Sequence, residues 1–208
     1  MPRPLALAAL LLLVTACTEV REPPPAAPLE RVQTPLVGGQ PETGWDPVGA
    51  LTITYPGYGY AGSFCSATLI HPEWVLTAAH CLLSQDGFQV TPDAVEFFIG
   101  PDARPHYGGK PLEGTFHETD VFFPHPDYSS YTGANDIGLA HLKTPVQGVD
   151  PVPHSYAAMN NGFKGEDCLY VGFGVNDGIE QTGGGLKRSG TMEIVQIQNK
   201  GYVSEYGG

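Results

Sequence analysis

The chain is short of charge, and shortest of positive charge. Its 208 residues include 10 Lys or Arg against 22 Asp or Glu, a formal net charge of −12. That balance excludes the phosphate-neutralising surface of a nucleic-acid binder and any polybasic contact with a membrane. Acidity of this kind serves solubility and specifies no basic substrate. Long apolar runs are missing too: Leu5 to Val14 is a stretch of ten residues, where a membrane-spanning helix needs about 20. No helical period persists over ten residues, and there is no internal repeat and no nucleotide-binding glycine motif. His106, His117, His141 and His154 show no metal-ligand spacing and read as surface or packing residues, so no metal or cofactor is implied. Cysteine is scarce, with four in all.

Glycine and proline, by contrast, are abundant, at 27 and 20 residues. With 15% charged residues they suit a turn-rich, all-β protein. Strand-length apolar runs, rich in β-branched and aromatic residues, occur at Ala50 to Tyr55, Ser63 to Ile70, Trp74 to Ala78 and Val95 to Ile99. Four more lie at Asp120 to Phe123, Asp136 to Leu142, Cys168 to Phe173 and Thr191 to Gln198. Turn chemistry separates them, as at Pro56-Gly57, Gly108-Gly109 and Gly183-Gly184-Gly185. The array predicts a β-barrel or sandwich.

Residues 1–16 read as an export signal: a positive start at Arg3, then an apolar core of signal-peptide length. The core ends in Val14-Thr15-Ala16-Cys17, which resembles the bacterial lipobox. That resemblance implies a bacterial source and a lipid on Cys17, with an outer-membrane or cell-surface location. The alternative is an ordinary signal peptide with a cysteine near its cleavage site, and a secreted product. Residues 17–35 are proline-rich and read as an extended spacer or propeptide.

The most specific stretch is Phe64-Cys65-Ser66-Ala67-Thr68-Leu69-Ile70 followed by Trp74-Val75-Leu76-Thr77-Ala78-Ala79-His80-Cys81. The next is His125-Pro126-Asp127-Tyr128 with Asn135-Asp136-Ile137-Gly138-Leu139-Ala140-His141-Leu142. Small residues leave space beside His80, and a carboxylate opening an apolar strand is expected to be partly buried and to need a donor, which an imidazole N–H supplies. Together, in this order, these stretches resemble the trypsin-like (chymotrypsin-like) serine proteases. The resemblance implies a double antiparallel β-barrel over residues 36–208, with the first barrel at about 36–150 and the opening of the second at about 151–208. It implies His80 as general base, Asp136 as the group that orients it, and a Cys65–Cys81 disulfide. Gly138 stands where alanine is commoner in that family, a small change that leaves the resemblance intact. Leu36-Val37-Gly38-Gly39 is similar to the family's mature N-terminus, which would make Leu36 the new terminus, although Pro35 replaces the basic residue that usually precedes the cut. Val171-Gly172-Phe173-Gly174 is similar to the Gly-Trp-Gly turn that opens the second barrel, with Phe for Trp.

The family's nucleophile lies in Gly-Asp-Ser-Gly-Gly, and none of Ser63, Ser66, Ser84, Ser129, Ser130, Ser155, Ser189 and Ser204 has glycines on both sides. The expectation is therefore a C-terminally truncated chain that stops before the serine and its oxyanion-hole amides. Cys168 would then be unpaired, its partner beyond Gly208. The complete enzyme would be a serine endopeptidase acting on protein or peptide substrates, with the 208-residue chain itself inactive. A non-catalytic, protease-like binding lipoprotein is the alternative.

Overall fold

The computed structural model describes residues 39–83, 89–155, 158–177, 179–198 and 201–205. Cys17 and Leu36, with the export segment and spacer, lie outside the described residues. Six strands close into an antiparallel barrel: β2 (Val48–Tyr55), β3 (Gly59–His71), β4 (Trp74–Thr77), β5 (Val95–Ile99), β6 (Thr115–Pro124) and β7 (Gly138–Leu142), in the order β2-β3-β4-β7-β6-β5. Pairing of Ala50 with Phe98 and Leu51 with Phe97 joins β5 back to β2 and removes the free sheet edges. The described residues contain no α-helix, only short 3-10 turns at Ala79–Cys81, Pro92–Ala94 and Asn161–Phe163.

Side chains alternate across each strand and so build two cores. Leu51, Leu69, Val75, Val95, Phe97, Phe122, Ala140 and Leu142 fill the barrel interior. Ala50, Phe98, Ala103 and Phe173 form a second cluster, with Phe116 against it, on the wall facing the other half. Neighbours in sequence thus serve different cores, Ala50 one and Leu51 the other, which is why both faces of β2 are apolar. Close packing also fixes Gly49: a Cβ there would stand 2.4 Å from the Phe97 ring and from the Phe98 carbonyl oxygen.

The second half is a four-stranded antiparallel sheet. In it β9 (Arg188–Gln198) pairs on one side with β8 (Asp167–Gly172), and on the other with β1 (Gln40–Pro41) and β10 (Gly201–Glu205). The barrel's 101–103 loop runs along the chain just before β9: the Lys187 N–H donates to the Pro101 carbonyl at 2.8 Å and the Ala103 N–H to that of Gly185 at 2.7 Å. The Phe173 N–H donates to Ser66 Oγ at 2.8 Å, tying the end of β8 to β3. These bonds seat the second sheet on the barrel. All eight expected strands are present within this architecture, and the fold is the expected all-β one, consistent with a trypsin-like double barrel.

Candidate active site

His80 sits in the 3-10 turn Ala79–Cys81, directly after β4. The small Ala79 is fully buried there, so the turn lies flat against the barrel end with its imidazole outward. A disulfide joins Cys81 to Cys65 on β3, with Cα atoms 6.1 Å apart. Asp136 comes from the opposite side, two residues before β7 begins at Gly138. Asn135 has a left-handed backbone (φ 58°), which Asn tolerates better than other side chains do. Its Nδ2 donates to the Asp127 carbonyl at 2.9 Å, fixing the 125–135 loop. The kink at Asn135 delays the strand to Gly138 and turns Asp136 toward the histidine.

The carboxylate grips His80 twice. Asp136 Oδ2 lies 2.7 Å from Nδ1 of the ring, and Oδ1 accepts the His80 backbone N–H at 2.9 Å. An imidazole held this way carries its proton on Nδ1 and leaves Nε2 free as a base. Nε2 lies 3.5 Å from Cys81 Sγ. The pair is more open than the sequence suggests: the Asp136 side chain retains 30% of its exposure and that of His80 45%. The expectation of a partly buried carboxylate therefore holds only weakly, because β7 begins after the residue and not at it.

Gly138 is closely packed beside this turn. A Cβ at this position would lie 2.7 Å from Leu82 Cδ1 and 3.4 Å from Ala79 Cα, so Leu82 would have to move. Cys168 is a free thiol among the described residues, on β8, beside an open hollow of about 470 Å³ lined by Phe163, Glu166, Asp167 and Ile194. None of the residues around that hollow belongs to the His80–Asp136 pair. Ser66, at the family-like strand, has its hydroxyl engaged by Phe173 N–H, and its carbonyl accepts the Thr77 hydroxyl at 2.9 Å.

Other histidines sort by their surroundings. His141 Nδ1 stands 2.7 Å from Asp120 Oδ1 on the outer wall of the barrel, and its ring packs on Trp74 at 4.6 Å between centroids. Cross-strand pairing of β4, β6 and β7 creates this contact, which no local motif signals. Burial lowers the pKa of His117 and favours its neutral form. One buried cation was not foreseen at all. Lys187 is fully buried, its Nζ donating to the carbonyls of Gly44 at 3.1 Å and Trp45 at 3.3 Å. Desolvation lowers its pKa, an effect opposed by the charges of Asp46 and Glu42.

Known proteins resemble this chain along most of its length. The family model described as Trypsin matches residues 38–205. The chain is 31% identical over 195 residues to Serine protease SSP1 of Scolopendra subspinipes, covering 91% of this chain and 65% of that protein. It is 30% identical over 143 residues to Kallikrein-4 of Homo sapiens, covering 68% and 48%. It thus spans less than two thirds of the length of either relative. Both are animal proteins and lend no support to the bacterial source suggested by the segment around Cys17. With the match extending over most of its length and its fold in agreement, the chain belongs to the trypsin family of serine proteases.

Proposed function

We propose that the protein is an exported serine endopeptidase in which His80 is the general base and Asp136 the group that fixes its tautomer and stabilises the imidazolium. The observation that carries this reading is the double grip of Asp136 on the ring and backbone of His80, at 2.7 and 2.9 Å. His141 also meets a carboxylate at 2.7 Å, but the hold on both ring and backbone by one carboxylate is described for His80. His80 would take the proton of a serine hydroxyl as that oxygen attacks the peptide carbonyl, then return it to the leaving amine. The nucleophile and the amides that hold the oxyanion are groups that residues 1–208 do not supply in recognisable form, so residues 1–208 alone should be inactive. Residues 36–208 form the peptidase domain in this reading, Leu36 its mature terminus, and Cys17 a lipid attachment site following a 1–16 signal peptide.

The test is hydrolysis of a broad peptide panel, with fluorophosphonate labelling, by the protein purified from its natural source and by residues 1–208. Recombinant versions of both carrying His80→Ala and Asp136→Asn complete the set. The natural protein should turn over peptides; His80→Ala should abolish this, and Asp136→Asn should lower kcat by about 10⁴. Residues 1–208 alone should show no His80-dependent turnover. A natural protein that neither hydrolyses peptides nor takes the label would overturn the reading in favour of a non-catalytic binding module.

A further inference from the structure

Of the asparagines at 135, 160, 161, 176 and 199, only Asn161 is followed by glycine. Glycine has no side chain to shield its backbone nitrogen, so an Asn-Gly step is where that nitrogen most readily attacks the preceding side-chain amide. Asn161 and Gly162 lie exposed in the 3-10 turn Asn161–Phe163, on the rim of the hollow that Asn160 and Gly162 help to line. We propose that Asn161 is a modification site of the folded protein, converted by this attack to aspartate and isoaspartate, and that the side chain of Asn160 governs the rate.

The reaction balances with water as the one co-reactant. The Gly162 nitrogen gives its proton to solvent base and bonds to Asn161 Cγ. The side-chain nitrogen takes a proton from solvent and leaves as ammonia, closing a five-membered succinimide. Water then adds to one of the two ring carbonyls, and the C–N bond at that carbon breaks. Opening at Cγ gives aspartate. Opening at the main-chain carbonyl gives isoaspartate, in which the chain runs through the side-chain methylene. Either product adds a carboxylate to a rim that already carries Glu166 and Asp167, in a chain with a formal net charge of −12. Isoaspartate also adds one carbon to the main chain inside the turn.

Two restraints act on the first step. The Gly162 N–H donates to Asn160 Oδ1 at 2.8 Å, so the proton that must leave is shielded from solvent base. The turn itself is the second restraint. Cβ stands about 120° from the backbone nitrogen around the Cα–C bond, so the ring closes at ψ of about −120°, whereas a 3-10 residue has ψ of about −20 to −30°. The Phe163 N–H bond to the Asn160 carbonyl, at 3.0 Å, and that of Lys164 to Asn161, at 3.2 Å, hold the turn shut. Asn160 thus acts in both restraints, by its side chain and by its carbonyl. Neither restraint is deep. Asn160, Asn161 and Gly162 are all exposed, so the turn can open without disturbing either core. The ties of the following residues to β9, Gly165 N–H to the Ile194 carbonyl at 2.8 Å and Ile194 N–H to that of Glu166 at 2.9 Å, survive such an opening. The assignment rests on this turn alone and is independent of the proposed peptidase activity.

The test is incubation of the full chain in ¹⁸O-water at mildly alkaline pH, then peptide mapping with electron-transfer fragmentation to separate aspartate from isoaspartate. The folded parent should gain the acid and the label at Asn161, more slowly than the same chain unfolded in urea. Asn160→Ala should speed the reaction about 2- to 10-fold. Asn160→Asp keeps the acceptor and should be no faster than the parent. Tyr60→Phe weakens the barrel at the Ala103 carbonyl and should leave the rate unchanged, because the route is local opening. Near-UV circular dichroism checks the fold of each variant. Amide hydrogen exchange at Gly162 is the second readout: slowed in the parent, and faster in Asn160→Ala by the same factor as the modification. A folded parent that stays unmodified at Asn161 while the unfolded chain reacts overturns the proposal. So do equal rates in the parent and Asn160→Ala, an Asn160→Asp variant as fast as Asn160→Ala, a rate that rises in Tyr60→Phe, or a Gly162 amide that exchanges in the parent as in the unfolded chain.

Discussion

Lys187 poses a direct contest between charge and packing. Its side chain is fully buried at the junction between the barrel and the second sheet. Removing an ammonium from water costs several kcal/mol even after relaxation. Against this stand two charge-assisted hydrogen bonds, at 3.1 and 3.3 Å, each worth roughly 1.5–3 kcal/mol. The Phe173 ring, 5.7 Å from Nζ, adds on the order of 0.5–1 kcal/mol. These terms nearly cancel, so the charge contributes little net stability and the aliphatic stem contributes most. Lys187→Met keeps the stem. It also leaves no severe orphan, because Trp45 O still accepts the Val48 N–H at 2.8 Å and Gly44 is exposed to water. Lys187→Met should therefore lie within about 1 kcal/mol of the parent at pH 7, whereas Lys187→Ala should lose roughly 2–4 kcal/mol of packing. The pH dependence has a definite sign. The folded-state pKa is lowered from 10.5, chiefly by desolvation, so the unfolded chain binds more protons between the lowered value and 10.5. Stability must rise with pH across that window, and the rise must be missing in Lys187→Met. Urea unfolding followed by tryptophan fluorescence at pH 7 and pH 10 measures both effects. A methionine variant as damaged as the alanine variant, or a parent that gains nothing on it at pH 10, would refute the reasoning.

Tyr60 titrates with the opposite sign. Its hydroxyl donates to the buried Ala103 carbonyl at 2.6 Å, and burial, helped by the charges of Glu96 and Asp102, pushes its pKa up to about 12. The parent's advantage over Tyr60→Phe, about 1–2 kcal/mol, should be complete below pH 10 and disappear between pH 10 and about 12; a constant gap in denaturation midpoints would contradict this. At Asn135, glycine accepts the left-handed backbone and alanine does not, so Asn135→Ala should cost about 2 kcal/mol and Asn135→Gly about 1 kcal/mol. Equal costs in urea unfolding would show that the side-chain bond to Asp127, which both variants lose, and not the backbone, dominates, and a larger cost for glycine would refute the backbone argument.

Local periodicity made the strands legible, and pairing set their limits. Val95–Ile99 is apolar throughout and was readable to the residue. The start of β6 was not: Thr115, Phe116, His117 and Glu118 resemble a loop, and become strand because β5 offers Ile99, Phe98, Phe97 and Glu96 as partners. The two-residue β1 carries no signal of its own and exists through Ser189 and Arg188. His80, Asp136 and the disulfide were readable because a resemblance supplied the long-range contact that spacing cannot. Lys187 and Ser66 had no such help. A lysine is expected at the surface, and the partner of the Ser66 hydroxyl lies 107 residues away.

The supports of the candidate dyad come from one half of the molecule. The disulfide, the Asn135 tether to Asp127 and the close approach of Gly138 to Leu82 and Ala79 all belong to the closed barrel. The second sheet reaches that barrel through other groups: Phe173 on Ser66, Lys187 on Gly44 and Trp45, and the 101–103 loop beside 185–187. Two sets of contacts thus do different work. The first fixes the imidazole and its carboxylate relative to each other. The second fixes where that pair stands relative to everything carried by the second sheet. Sites that share no partners act nearly additively, so damage at Lys187 should leave the 2.7 Å pairing of His80 and Asp136 intact. Ser66 is where the two sets come closest. It is bonded in sequence to Cys65, whose disulfide reaches the residue after His80, and its hydroxyl holds the second sheet. A displacement of that sheet would reach the imidazole first along this route, through two peptide units and one disulfide.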